Sequence, residues 1–290
     1  MTTTSGSGAV SRPGATRTKQ IATYAALTAV SAVMLFPLFW MFSTSLKSLP
    51  EIAKFPPVWF PPDPAWSNYS AVFDVVPFFA YAKNTVIIAV LYVIGNVLSA
   101  SLVAYGFARL RFPGRNVLFT IMISTLMMPF IVRLVPLFLL YKELGWLNTP
   151  LPLIVPAFFG EAFFIFLMHQ YYKTIPHEII EAARVDGCSE LRIWWSIMLP
   201  LSTPALISVA IFAFQRSWND FIGPLIFLQA PEQRTLSVGL VTFTGGSGEA
   251  VASWHMLMAM STMMVVPMIV IFFFAQRRFV EGAVTSGIKG

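Results

Sequence analysis

Charged residues are scarce in this chain. Asp, Glu, Lys and Arg make up 11% of its 290 residues, against about 25% in a typical soluble domain. Less than half the usual charge cannot clothe a water-facing surface, so a soluble globular domain is excluded and an integral membrane protein is expected. Cysteine is scarcer still. Cys188 stands alone, which excludes an intramolecular disulfide framework and a cysteine-based metal cluster. His169 and His255 have neither a second histidine nor a carboxylate at metal-ligand spacing. Both are expected to be interfacial polar residues, and no metal site is expected. No Ser/His/Asp set and no paired carboxylates fall in catalytic register, which argues against a membrane enzyme. No internal repeat is visible.

Hydrophobic residues, by contrast, reach 57%. They gather in six stretches, about Ile21–Leu46, Thr85–Ala108, Val117–Leu140, Leu151–Gln170, Leu201–Leu228 and Trp254–Ala275. Each approaches the roughly 20 apolar residues that a spanning helix needs. Backbone polar groups must be satisfied inside lipid, so the expected fold is all-α with six transmembrane helices over residues 21–276. Pro37, Pro129, Pro136, Pro156, Pro224 and Pro267 fall within these stretches. Kinks there suit a bundle that lines a pathway, where neighbouring helices or water satisfy the freed carbonyls. The first stretch outlasts the apolar core of a signal peptide and has no A-x-A site after it, so it is expected to be retained.

An even number of spans puts both termini on one side. Arg12, Arg17, Lys19, Arg109, Arg111, Arg115, Lys173, Arg184, Arg192, Arg277, Arg278 and Lys289 fall on that side, and Lys47, Lys54, Lys83, Lys142 and Arg234 on the other. By the positive-inside rule the termini are cytoplasmic, and the formal net charge of +6 reflects basic cytoplasmic loops rather than nucleic-acid binding. The turn "RLRFPGR" is the clearest marker. Residues 1–20 are Ser/Thr/Gly-rich and expected to be disordered. Residues 277–290 form a cytoplasmic tail. The external segment, about 47–83, contains "FPPVWFPPDPAW" and reads as a rigid, extended cap on the outer surface.

One long polar stretch, "EIIEAARVDGCSELRIWWSIMLPL" at Glu178–Leu201, interrupts the apolar second half within a loop at about 171–200. Pro176 suits a helix start, and Glu178 and Glu181 suit its dipole. The pattern predicts a helix over His177–Val185, a break at Asp186-Gly187 where Gly supplies a left-handed turn, and a second helix capped by Ser189. Leu199-Pro200 ends that helix or hands it to the fifth span. Ile179, Ala182 and Ala183 share a face by spacing, so the loop either docks into a partner's groove or lies as an amphipathic helix on the membrane.

The pattern Glu181-Ala182-Ala183, three residues, Gly187, nine residues, Ile197, one residue, Leu199-Pro200 resembles the EAA motif of permease subunits of bacterial binding-protein-dependent ABC importers. "FPLFWMFSTSLK", "NYSAVF", "AYGFARLRFPGR", "SWNDFIGPLIFL" and the tail "GAVTSGIKG" are similar to the carbohydrate-importer branch containing the smaller maltose-importer permease. The resemblance extends over nearly the whole chain after about residue 21. It implies the type I importer permease fold and a bacterial cytoplasmic (inner) membrane location. It also implies a second homologous permease, two ATPase subunits and an extracytoplasmic solute-binding protein as partners. Outer loops, among them the segment before Tyr81 and "TGGSGEA" at Thr244–Ala250, would meet that binding protein. Glu181, Ala182, Ala183, Asp186, Gly187, Ile197, Leu199 and Pro200 are then the ATPase-coupling residues. The solute implied is a sugar, oligosaccharide or polyol derivative, with a non-sugar solute as the alternative.

No cofactor is expected in this chain. Its tail approaches a phosphate loop but reads G-x-x-x-x-G-I-K, with Ile288 between glycine and lysine and no strand before it. ATP and magnesium would be bound by the partner ATPases. Ionisable groups within spans are candidates for the solute pathway: Arg133, Glu161, Arg216 and Asp220, with Trp218 and Asn219 offering a flat apolar face and an amide to a sugar. Arg216 and Asp220 are four apart and could pair, as a structural salt bridge or in the pathway. Arg133 departs from the small polar residue that the resemblance leads one to expect there. Pairing with Glu161, solute binding and snorkelling are all open to it, and Glu161 also suits the outer headgroup region. A stand-alone secondary transporter would need carboxylate-rich ion sites and inverted repeats, and only Glu161 and Asp220 lie within the spans.

Overall fold

The structure is a computed structural model that describes residues 17–245 and 253–287. Every regular element among the described residues is helical. In chain order the principal helices are α1 (Arg17–Ser45), α2 (Ser67–Val75), α3 (Phe78–Arg109), α4 (Arg115–Ser124), α5 (Phe130–Glu143) and α6 (Ala162–Thr174). Then come α7 (His177–Val185), α8 (Glu190–Ile193), α9 (Thr203–Trp218), α10 (Ile222–Phe227) and α11 (Trp254–Gly287).

Among the described residues, four helical stretches are long and apolar enough to cross a membrane: Lys19–Ser45, Phe78–Arg109, Leu151–Thr174 and Trp254–Phe274. The third expected span is a bent pair, and a second bent pair joins the loop's second helix to the first part of the fifth expected span, whose helix ends at Trp218. Arg115–Met127 and Phe130–Glu143 meet at 100°, and Glu190–Leu201 and Thr203–Trp218 at 82°. Counting each bent pair as one span gives six. Proline explains the first bend: Met128, before Pro129, is extended at φ −85 and ψ 111, because the residue before proline is pushed out of the helical region. At the second, Ser202 leaves the helix between Pro200 and Pro204, and its hydroxyl donates to the carbonyl of Met198 at 2.7 Å. Pro37, Pro136 and Pro267 stay inside helices.

Helix α3 is the hub, packing on α6, α9 and the 155–159 turn. Its buried face is made of small and weakly polar residues: Gly95, Asn96, Ser99, Ala100, Ser101 and Ala104. Small side chains let helices approach closely where lipid offers no hydrophobic drive for association. A Cβ on Gly95 would lie 2.9 Å from the Phe158 ring, and Ser99 Oγ donates to the Ala157 carbonyl at 2.7 Å. One core cluster joins Tyr105, Phe164, Met168 and Tyr172 to Ile180, Ile193 and Met198 of the polar loop. A second joins Val72, Tyr81, Trp218 and Phe243 to Met260 and Met264, so these methionines are packing residues. Helix α1 packs chiefly on α11; residues 19–38 are exposed, while Ser43, Thr44 and Ser45 at its end are buried.

His169, expected as an interfacial polar residue, is covered by the protein itself. It is buried, with its ring 4.3 Å from that of Phe119. Residues 1–16, most of the 244–250 segment and residues 288–290 lie outside the described residues, as do the side chains of Arg277 and Arg278.

Candidate functional site

Two constellations stand apart in the fold. The first is the polar loop. Helix α7 occupies the predicted His177–Val185, and Gly187 takes φ +78 behind it. The Cys188 and Gly187 N–H groups donate to the carbonyls of Ala183 and Arg184, each at 3.0 Å. This is a Schellman closure, which a non-glycine residue at that left-handed position would strain. Ser189 caps α8 by accepting from the Arg192 N–H at 3.4 Å.

The faces of α7 differ from the expected set. Ile180 and Ala183 turn inward, 1% and 6% exposed, against Tyr105, Tyr172 and Ile193. Ile179, Ala182 and Val185 form the outward surface beside Glu178 and Glu181, with Val185 88% exposed. Spacing alone grouped Ala183 with Ile179 and Ala182, but Ala183 supports the helix from behind. Asp186 is the exposed C-cap. Ile197 and Leu199 are half-buried against the same core, and exposed Pro200 sits in the turn that leads to α9.

Glu190 ties this loop to the hub. Its carboxylate accepts both Nε and Nη2 of Arg184, at 2.7 and 3.2 Å, and the Tyr105 hydroxyl at 2.5 Å. The Glu190 carboxylate in turn holds the Arg184 guanidinium above its ordinary pKa. Arg109, the last residue of α3, is buried, and its Nη2 donates to the carbonyls of Tyr172 and Ile175. Both carbonyls lie at the C-terminal end of α6, where a cation suits the helix dipole, and the Tyr172 carbonyl also accepts the Ile175 N–H at 3.2 Å. A groove of about 570 Å³ runs between the "RLRFPGR" turn and α7, lined by Arg109, Arg111, Phe112, His177, Glu181 and Arg184 among others.

The second constellation is a cleft of about 530 Å³, in which Arg133, Glu161, Arg216 and Asp220 line one wall system with Tyr92, Thr125 and Tyr141. A smaller cavity of about 210 Å³ shares Tyr92, Arg216 and Asp220 and adds Thr85, Ser217 and Thr235. Glu161 stands where the helix breaks: Gly160 is at φ +87, and Glu161 is the N-cap of α6. Its carboxylate accepts the Tyr92 hydroxyl at 2.6 Å and pairs with Arg216. Three elements of the bundle, α3, α6 and α9, therefore meet at one carboxylate.

Arg216 and Asp220 do not form the i, i+4 pair that spacing allows. Helix α9 stops at Trp218, and Asp220 folds back so that Oδ1 accepts the Gly223 N–H at 3.2 Å. A Cβ at Gly223 would lie 2.5 Å from Asp220 Oδ2, so only glycine leaves room for that carboxylate. Arg133 lies 5.9 Å from the Phe130 ring centroid and has no ion-pair partner among the described residues. Trp218 and Asn219 line neither cavity. The Trp218 indole is buried, donates to the Met264 carbonyl at 3.1 Å and stacks on Phe214 at 5.2 Å. The Asn219 amide turns back to the Gln215 carbonyl at 2.8 Å.

With both cationic and anionic groups, hydroxyls and aromatic walls, the cleft can hold a hydroxyl-rich solute by several hydrogen bonds. The signature of the binding-protein-dependent transport system inner membrane component family matches residues 96–283. This chain belongs to that family. The matched region holds the loop and all four cleft ionisable residues, and leaves α1 and the 47–83 segment outside it. The permease is 33% identical over 264 residues to an arabinooligosaccharides transport system permease protein of Halalkalibacterium halodurans, covering 90% of this chain and 93% of that one. It is 30% identical over 257 residues to a sulfoquinovosyl glycerol transport system permease protein of Agrobacterium fabrum, covering 88% and 89%. It is 28% identical to a diacetylchitobiose uptake system permease protein of Streptomyces coelicolor, covering 89% and 92%. Among solved structures it superposes with a TM-score of 0.79 and 25% identity on a chain of a bacterial ABC transporter involved in the import of the acidic polysaccharide alginate, covering 92% of this chain and all of that one.

Tyr92, Tyr105, Arg109 and Glu190 escaped the sequence reading as functional positions. Tyr92 is the one aromatic hydroxyl in "NTVIIAVLYVIGN", a polar atom amid aliphatics that had to find a partner. Glu190 lies within the polar loop, and nothing local shows that it reaches Tyr105 of α3.

Proposed function

We propose that this permease forms half of the translocation pathway of an ATP-driven, binding-protein-dependent importer for a sugar, oligosaccharide or polyol derivative. The observation that carries this reading is the coexistence in one chain of a polar cleft among long apolar helices and a firmly anchored helix that presents Ile179, Ala182 and Val185 outward beside Glu178 and Glu181. The names of the relatives supply the solute class: arabinooligosaccharides, diacetylchitobiose and sulfoquinovosyl glycerol.

In this scheme the Ile179, Ala182 and Val185 surface of α7, with Glu178 and Glu181, seats in a groove of an ATPase subunit on the cytoplasmic side. Each of two ATPases takes one such loop, from this chain and from a second homologous permease. ATP and magnesium belong to those subunits, and a solute-binding protein delivers cargo on the outer face. Both termini of the permease lie in the cytoplasm, and the membrane is the bacterial cytoplasmic (inner) membrane. Closure of the ATPases moves α7, and the Glu190–Tyr105 and Arg109 contacts pass that motion to α3 and α6, which line or border the cleft. Alternating access follows as rocking of one permease against the other. The test is solute-stimulated ATP hydrolysis in the reconstituted complex. Glu181→Lys, at an exposed position, abolishes stimulation while the protein still inserts; retained stimulation refutes docking through this helix.

A second reading of the solute is favoured by Arg133. An arginine at membrane depth is costly unless its charge is met, and Glu161 already serves Arg216. A carboxylate or sulfonate on the cargo, or an acid of the second permease, meets it. Arg133→Gln separates the two cases. If the cargo supplies the anion, uptake of an acidic sugar falls far more than uptake of a neutral one. Equal losses assign Arg133 to the permease pair.

A further inference from the structure

Behind helix α7 the core holds a knot of polar groups. Tyr172 of α6 is fully buried, in the cluster that receives Ile180 and Ala183 of α7. Its ring meets that of Tyr105 edge-on at 6.5 Å, and its carbonyl accepts the Arg109 guanidinium. The polar neighbours of its hydroxyl are the side chains of Ser202, Trp194 and Ser101, all of them buried. Ser101 belongs to α3. Trp194 opens the π-helical turn Trp194–Met198 that follows α8, and Ser202 is the residue at the 82° bend into α9. Such π-turns recur at functional sites. The knot does not line the cleft.

The hydrogens available decide what the knot can do. Ser101 Oγ donates to the Leu98 carbonyl at 2.9 Å and Ser202 Oγ to that of Met198 at 2.7 Å, so each has spent its one hydrogen and offers lone pairs only. The Trp194 indole N–H is a donor only, and the Tyr172 hydroxyl both accepts and donates. One chain satisfies both: Trp194 to Tyr172, and Tyr172 to a serine. In the packing seen here that chain is not closed. Tyr172 Oη and Trp194 Nε1 are both buried without a hydrogen-bond partner, an arrangement that costs free energy. Of the two serines, Ser101 is fixed relative to Tyr172, because α3 and α6 pack along each other and are tied at their ends by Arg109. Trp194 and Ser202 lie on the segment that continues from α7 and α8, and they move when that segment moves.

We infer that Tyr172 is a positioning residue for coupling: its hydroxyl, unpaired in this packing, closes the chain Trp194–Tyr172–Ser202 when α7 and the segment behind it shift, and so holds an alternative angle of α9 against α3 and α6. One arrangement leaves two buried donors unpaired and the other pairs both, which gives the bend two defined positions rather than free play. Tyr172 acts through the helices that it joins. The inference rests on the reading of this chain as an ATPase-coupled permease and is independent of the identity of the solute.

The test is Tyr172→Phe in the full complex with its ATPases and second permease. The ring and the carbonyl remain, so the Tyr105 and Arg109 contacts are kept. Thermal midpoints are measured for the nucleotide-free complex and for the complex trapped with ATP and vanadate. The midpoint is expected to fall in one state and not in the other. Solute-stimulated ATP hydrolysis is expected to fall roughly two- to tenfold, the net contribution of one buried hydrogen bond, with basal hydrolysis retained. Trp194→Phe, which removes the other end of the chain, is expected to show the same dependence on state. An equal fall in both states marks a static bond, to protein or to water, and overturns the inference. Unchanged midpoints in both states, or wild-type stimulation, overturn it as well. Ser101→Ala is expected to shift both states alike; if it reproduces the state dependence, the partner lies on α3 and the inference is overturned. An unsubstituted complex without solute-stimulated hydrolysis would instead overturn the functional reading, and this inference with it.

Discussion

Removing the Glu190 carboxylate isolates the link between the cytoplasmic loop and the membrane helices. Glu190→Ala deletes the acceptor of three hydrogen bonds, two from Arg184 and one from Tyr105. The Arg184 side chain is 40% exposed and Glu190's 41%, so that ion pair contributes at the low end, below about 1 kcal/mol. The Tyr105 bond is charge-assisted and partly buried, and such bonds contribute about 1.5–3 kcal/mol. Together they hold α7 on the end of α3 by about 2 kcal/mol, or about 30-fold in the population of the anchored geometry. The expected result is a fall of that order in solute-stimulated ATP hydrolysis, with basal hydrolysis and assembly retained. Glu190→Gln, which keeps an acceptor for Tyr105, is expected to lie between. Tyr105→Phe, which keeps the ring against Tyr172, should reproduce most of the loss. Wild-type stimulation in both Glu190→Ala and Tyr105→Phe would refute the anchoring argument.

Four further outcomes follow from the geometry. Gly187→Ala is expected to cost about 1–2 kcal/mol of loop stability, since φ +78 is strained for any Cβ but open space surrounds it; proteolysis of the loop reads this, and unchanged cleavage counts against the Schellman closure. Gly223→Ala should impair transport with normal insertion, because its Cβ displaces the Asp220 carboxylate; full uptake would show that carboxylate to be free to move. Asp220→Ala should impair uptake more than Asp220→Asn, which can still accept the Gly223 N–H; wild-type uptake in both removes Asp220 from the pathway. Glu161→Gln combined with Arg216→Gln should be less damaging than the sum of the two singles in thermal stability, as for any coupled pair; strict additivity denies the contact.

Local signals in the sequence carried far. Pro176, the acidic first turn and Gly187 mark the ends of α7, and Ser189 marks the start of α8, because caps and left-handed turns are decided by residues a few positions apart. The family pattern in the loop was legible for the same reason. Faces and partners were not. Ala183 turns inward because Tyr105 and Ile193 lie behind it, and nothing within α7 records that. Arg216 and Asp220 looked like one helical face, yet the helix ends between them and Arg216 finds Glu161, 55 residues away. Trp218 reads as a sugar platform in isolation but fills the core against α11. The break at Pro129 was foreseen from proline and the one at Ser202 was not, while Pro37, Pro136 and Pro267 stay inside helices.

The most direct test of the importer assignment is to purify this chain in mild detergent from its native membrane and identify by mass spectrometry what accompanies it. The account predicts a second permease and an ATPase subunit, in a complex whose solute uptake after reconstitution requires ATP. Recovery of this chain alone, carrying solute into liposomes without ATP, would contradict it.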